Sequence, residues 1–140
     1  MIFLICVLLF DSGHLVALTT QEEAPVMFHA KVDGVRMRYE ITQSQLDRYV
    51  KWEASDVNPP IAIRDAIDIS KLAIEDFAKK GFVKKEKEWA VRLISIVPIG
   101  GDKWYYVVEY GQRNAFGNPP AVTIVILMDG IWLQPLPTSD

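Results

Sequence analysis

The stretch Asn58–Gly81, NPPIAIRDAIDISKLAIEDFAKKG, decides the fold that we predict from the sequence. Asn58 can cap the first turn of a helix, and Pro59 suits the first helical position because its missing N–H would have no partner there. Gly81 can adopt the left-handed conformation that ends a helix. Between them lies a mostly apolar stripe at helical spacing: Ile63, Ala66, Ile67, Ser70, Ala73, Ile74 and Phe77. This pattern predicts one long amphipathic helix.

The segment before this helix has the alternation of a half-buried β-hairpin. Val26–Val32 and Val35–Thr42 place apolar side chains at every second position. The Asp33-Gly34 pair between them is a strong signal for a two-residue turn, because both positions tolerate positive φ. A short helix is expected next, capped by Thr42 or Ser44 and extending to about Glu53.

Most of the chain after the long helix reads as strand. We predict strands at Trp89–Val97, Lys103–Tyr110, Ala121–Met128 and, after the Asp129-Gly130 turn, Ile131–Gln134. Alternation along Trp89–Val97 is predicted to place these side chains on one face: Trp89, Val91, Leu93, Ser95 and Val97. Pro135 and Pro137 are expected to end the sheet. The predicted fold class is α+β, with one long amphipathic helix and a short one packed on an antiparallel sheet of about four to six strands.

Length and charge exclude several classes of protein. A chain of 140 residues is long enough for one domain with a substantial core. The formal net charge of -3 provides no electrostatic footprint for nucleic acid, so we expect no nucleic-acid partner.

The first 20 residues are predicted to be a signal peptide, followed by a single domain over residues 21–140. Ile2–Phe10, IFLICVLLF, is apolar and uncharged, and is too short to span a bilayer, which needs about 20 apolar residues. No Lys or Arg precedes this run, and a buried first strand is the alternative. Export to the periplasm or the medium would remove Cys6, and the mature chain would start between about residues 18 and 25, with no stable membrane span.

From the long helix onward, the chain resembles the PepSY and cystatin-like small exported domains. The residues that carry the resemblance are the helix IAIRDAIDISKLAIEDF, the strand pair EWAVRLISI and KWYYVVEY, and the hairpin VTIVILMDGIWLQP. The resemblance covers roughly the last 80 residues and rests on patterns of apolarity. It implies a non-catalytic binding or inhibitory module.

Chemically reactive side chains occur without a recognisable motif. His29 stands alone in a strand and has no partner in sequence for a catalytic or metal site. Asp65 and Asp68 lie opposite the apolar stripe, which favours a solvated helix face. Five lysines lie near the helix end, at Lys79, Lys80, Lys84, Lys85 and Lys87. Because Glu86 and Glu88 interrupt this run, we interpret it as solvated surface. We expect neither a metal nor a cofactor.

The candidate binding surface is the sheet face opposite the helix. Alternation is predicted to place an apolar set there: Tyr105, Val107, Val125, Leu127 and Trp132. Arg113 and Phe116, in the predicted loop 111–120, would be available as contacts at the end of that surface. An uncovered patch of this kind would bind another polypeptide or a second copy of the chain. The alternative is that the N-terminal hairpin or the short helix covers it.

Two classes of function therefore remain. The favoured one is a non-catalytic binding module that uses its sheet face or edge. The other is an enzyme or ligand-binding protein like the NTF2-like group, with a pocket between helix and sheet. Such a pocket needs polar side chains that point inward, and the strands offer Ser95, Thr123 and Glu109.

Overall fold

The computed structural model describes residues 25–113 and 121–138. Its elements in chain order are β1 (Val26–Val32), β2 (Val35–Ile41), α1 (Gln43–Asp47), α2 (Ile63–Lys79), β3 (Trp89–Gly100), β4 (Lys103–Gln112), β5 (Ala121–Leu127) and β6 (Leu136–Pro137). The strands form one antiparallel sheet in the order β3-β4-β5-β1-β2-β6. The predicted α+β class is confirmed, with a small helical content. The predicted signal peptide lies outside the described residues.

Helix α2 begins later than its sequence signals suggest. Ala62, not Asn58, is the N-cap residue, and it makes no side-chain capping bond. Pro59 cannot start the helix because Pro60 follows it, and a residue before proline is driven out of the α region. The predicted end is confirmed, because Gly81 has a positive φ of 81°.

The buried line of α2 is made of small residues and one aromatic. Ala66, Ser70, Ala73 and Phe77 are buried, whereas Ile63, which we expected in the apolar stripe, is half exposed. Small side chains let the helix axis approach the sheet, and tyrosines from β4 fill the remaining space. The hydroxyls of Ser70 and Tyr110 lie 2.6 Å apart, which satisfies two buried polar groups.

The N-terminal hairpin forms as predicted. The β1 and β2 strands pair from Val26–Ile41 to Val32–Val35, and Asp33 and Gly34 both have positive φ. Thr42 then caps α1 in a capping box with Gln45, but α1 ends at Asp47, well before Glu53.

A β-bulge in β3 changes the predicted faces of that strand. The pairing with β4 shifts register between Val91 and Leu93, with Arg92 as the extra residue. An extra residue reverses the side-chain alternation. Ile94 therefore lies on the same face as Val91, and Leu93 points to the opposite one.

The C-terminal segment departs from the prediction in two ways. Residues Ile131–Gln134 form no named strand, although Trp132 makes an isolated bridge to Ile126. The prolines do not end the sheet, because Leu136 and Pro137 pair with β2 as its outermost strand. Proline is tolerated at a sheet edge, where its missing N–H breaks no ladder bond. Pro98 in β3, at the other edge, follows the same rule.

Buried tyrosines predict a loss of stability at alkaline pH. Tyr39 is fully buried and Tyr110 nearly so, and burial raises the pKa of both phenols above the ordinary value of about 10. Above about pH 10 the unfolded chain binds fewer protons than the folded one, so stability falls as the pH rises.

Urea unfolding between about pH 8 and 11.5 measures this effect. We expect full stability up to about pH 9.5, then a fall of at most about 1.4 kcal/mol per pH unit for each buried tyrosine. Tyr39→Phe should flatten the slope. An unchanged slope in that variant would show that Tyr39 ionises normally.

Candidate functional site

The two faces of the central sheet are defined by strand β4. On the helix face, the hydroxyl of Tyr106 donates to the carbonyl of Ile61, just before α2, at 2.6 Å. The opposite side is called the second face here. It carries Tyr105, Val107 and Glu109 of β4, which pair with Leu127, Val125 and Thr123 of β5. Side chains of paired residues lie on the same side of an antiparallel sheet.

The N-terminal hairpin packs over the centre of the second face. Phe28 stacks on both Tyr39 and Tyr105, with ring centroids 5.5 and 5.4 Å apart. The hydroxyl of Tyr39 donates to the carbonyl of Thr123. Val125 and Leu127 are fully buried. The sequence left open whether this face is uncovered or is covered by the hairpin or the short helix. In the structure, the hairpin covers its centre.

The predicted binding residues do not form one surface. Tyr105 and Val107 are half-buried on the second face, beside the hairpin. Trp132 lies on the helix face, because it bridges to Ile126, which pairs with Tyr106. The prediction that Tyr105 and Trp132 share a face is therefore wrong. Arg113 is exposed, and its N–H donates to the Glu88 carbonyl at 2.8 Å. Phe116 lies outside the described residues.

A second-face groove of about 390 Å³ remains between β1 and β4. Its lining residues are Phe28, His29, Ala30, Lys31, Val107, Glu109, Ala121 and Thr123. The groove brings His29 and Glu109 together, which no spacing in the sequence indicates. It lies across the sheet from α2, so the expected inward group Glu109 does not face a pocket between helix and sheet. The described ion pairs do not include His29 with Glu109, and His29 is exposed.

Ion pairs along α2 account for two carboxylates with lowered pKa values. A hydrogen bond from Lys71 at 2.7 Å lowers the pKa of Asp68, and one from Lys80 at 2.7 Å lowers the pKa of Asp76. Asp68 is exposed to solvent, as the helical spacing predicts. Among the described residues, no group of three His, Cys, Asp or Glu side chains is placed to hold a metal ion.

The outer edge of β3 is a long strand edge. This strand has 12 residues and lies at the end of the sheet, and no described strand pairs with its outer side. Val91 and Leu93 are exposed there, by 38% and 50%, one on each face of the sheet. We call residues 89–97 of this strand the β3 edge.

A basic groove of about 310 Å³ lies between the end of α2 and the start of β3. Apolar side chains line it: Ile74, Ala78, Val83 and Trp89. Charged ones also line it: Glu75, Lys79, Lys84, Lys85 and Lys87. From the sequence, these lysines are predicted to be solvated surface and Trp89 to lie on a strand face. The fold places them around one concavity.

No protein-family model, curated protein or solved structure matches this chain. Within the described ranges, no helix is both long and apolar enough to cross a membrane.

Proposed function

We propose that this protein is a non-catalytic binding module that captures an extended polypeptide segment by strand addition along the β3 edge. The observation that carries the proposal is the length of that edge: β3 has 12 residues and no described strand on its outer side. An unpaired edge presents a row of backbone N–H and C=O groups to an incoming strand.

Side chains at the β3 edge add apolar contact to the backbone bonds. Val91 projects on the helix face and Leu93 on the second face, and both are exposed. An added strand would cover both. Full burial of such a side chain is worth about 1.5–3 kcal/mol, and because Val91 and Leu93 are only 38% and 50% exposed, each would contribute at most half of that. Pro98 limits the usable edge to residues before it, because it has no N–H to donate.

The edge is a better candidate than the sheet face that the sequence favoured. The hairpin already buries Val125 and Leu127 at the centre of that face. These two side chains are buried without a partner, whereas the outward-facing backbone groups of the β3 edge have no described strand to pair with.

Export of the mature chain is part of this proposal. It rests on the apolar run Ile2–Phe10 and on the resemblance to PepSY and cystatin-like domains, which implies binding without catalysis. Neither a cofactor nor nucleic acid has a role in it.

Charged substitutions at the β3 edge test the proposal. Peptides of 12 random residues, displayed on phage, are selected on the purified protein, and the affinities of the selected peptides are then measured. We expect Val91→Lys/Leu93→Lys to weaken binding by about tenfold or more, because charged side chains disfavour strand pairing at an edge. Met27→Lys/Val35→Lys is the matched control, since it adds the same charge at two exposed strand positions of the hairpin.

Amide hydrogen exchange and molecular mass complete the test. Bound peptide should protect backbone amides of residues 89–97 from exchange. Binding that survives in the double variant, or protection confined to another part of the chain, would contradict the proposal. A mass of two chains in sedimentation, lost in the double variant, would identify a second copy as the strand donor.

A second candidate is a ligand-binding or catalytic pocket in the second-face groove. It is favoured by one observation, the convergence of His29, Glu109 and Thr123 on that groove. A fragment screen followed by amide chemical shifts tests this candidate. Ligands of this groove would shift the amide signals of Val107 and Thr123, and Glu109→Gln would weaken their binding.

A further inference from the structure

The basic groove combines an apolar floor with an excess of positive charge. Val83 is buried and Ile74, Ala78 and Trp89 are half-buried, so the floor is continuous with the core. Four lysines and one glutamate line the groove, although the whole chain has a formal net charge of -3. The groove is therefore a local cluster of positive charge on a protein whose net charge is negative.

Three of these lysines are free of ion pairs with described residues. Lys87 is bound to Asp33 in the β1–β2 turn, with its ammonium 5.6 Å from the centre of the Trp89 ring. The described ion pairs leave Lys79, Lys84 and Lys85 without an acidic partner. All three are exposed.

The end of α2 does not cancel this charge. A helix C-terminus carries a partial charge of about -0.5, which disfavours an anion nearby. Three ammonium groups outweigh that charge together with the single charge of Glu75. The charge balance of the side chains that line the groove therefore favours an anion.

We infer that the basic groove binds a small amphipathic carboxylate, with its apolar tail on Ile74, Ala78 and Trp89 and its carboxylate among Lys79, Lys84 and Lys85. The volume of about 310 Å³ is at the small end of the range for ligand pockets, roughly 300–1,000 Å³. A free small molecule therefore fits better than a bilayer surface, which would contact a flat face. This site shares Trp89 with the β3 edge, but binding of the carboxylate does not rest on strand addition there.

Titration with decanoate is the direct test. Binding is followed by calorimetry and by the indole N–H signal of Trp89, assigned through Trp89→Phe. We expect saturable binding of decanoate that weakens as salt rises, because rim charges are screened over about 10 Å at 0.1 M. Acetate, which lacks the tail, and decyltrimethylammonium, which has the opposite charge, should bind much more weakly.

Charge reversal at the rim identifies the residues. Lys84→Glu/Lys85→Glu should weaken decanoate binding by about tenfold or more, because two attractive charges become repulsive. Arg64→Glu/Lys103→Glu changes the net charge equally at positions outside the groove lining and should leave the affinity within about twofold. Thermal melts of both variants establish that they fold.

Several results would overturn the inference. Equal affinity for decyltrimethylammonium would show a site selected by apolarity alone, and equal affinity for acetate would show one selected by charge alone. Binding to phosphatidylglycerol vesicles without binding to monomeric decanoate would make a membrane surface the ligand. Unchanged decanoate affinity in Lys84→Glu/Lys85→Glu would remove the lysines from the site.

Discussion

Replacement of Phe77 by alanine is expected to lower the free energy of unfolding by about 3–5 kcal/mol. The Phe77 side chain is fully buried on the sheet side of α2 and packs edge-on against Phe82, with ring centroids 5.9 Å apart. Truncation would leave a cavity between helix and sheet that rigid strands cannot fill. Because a domain of this size has only about 5–15 kcal/mol of stability, this loss would be large. Urea unfolding measures it.

Leu72→Ala is the matched control for this prediction. Leu72 lies on the same helix but is 55% exposed, so its truncation should change the unfolding free energy by less than about 1 kcal/mol. If the two variants had equal stabilities, the packing of α2 on the sheet would be different from the one described.

Tyr39→Ala is expected to have a comparable effect, about 3–5 kcal/mol, through a different interface. Tyr39 joins the hairpin to the rest of the sheet through its hydroxyl, which donates to the carbonyl of Thr123 in β5. Its ring also stacks on Phe28 within the hairpin, and Phe28 in turn stacks on Tyr105 of β4. Loss of the ring would open the cover over Val125 and Leu127. Binding of a hydrophobic dye should rise together with the fall in stability.

Two further variants separate the ring from the hydroxyl. Tyr39→Phe keeps the stacking and leaves the Thr123 carbonyl without its buried donor, at a cost of about 1–3 kcal/mol. Val35→Ala, at a 60% exposed position of the same strand, should have almost no effect. A stable Tyr39→Ala protein would mean that the hairpin is not what covers the second face.

The turns and the main elements could be predicted from the sequence because their causes are local. Asp33 and Gly34 adopt the positive φ that a two-residue turn requires. Gly81 ends α2 for the same reason. The spacing from Ala66 to Phe77 indicates the buried side of that helix. The start of α2 is predicted too early because Asn58 and Pro59 match the residues preferred at a helix start, whereas the structure has Ala62 as the N-cap residue.

The face on which a strand's side chains lie could be predicted only where the apolar residues occupy every second position. In β2, every second residue from Met37 to Ile41 is buried, and the prediction is confirmed. In β3, WAVRLISIV, apolar residues occupy both odd and even positions, so alternation cannot reveal the bulge at Arg92. The bulge decides that Leu93, and not Ile94, points to the second face.

The candidate sites depend on which elements come together. Strand β1 pairs with β5 only at Val32–Val122, so the rest of that edge of β5 is open to other residues. Residues 131–133 bond to it there, and this pairing places Trp132 on the helix face. The basic groove exists because Lys79 at the end of α2 meets Trp89 at the start of β3. No local pattern encodes these encounters.

The sequence by itself determined a long helix, a hairpin and antiparallel strands, since backbone conformation and apolar periodicity act within a few residues. Only the tertiary structure decided that the hairpin covers the second face, that no described strand pairs with the outer edge of β3 and that lysines surround an apolar groove. Those outcomes depend on contacts between residues far apart in the chain, such as Tyr39 with Thr123, and such contacts form only when several elements pack together.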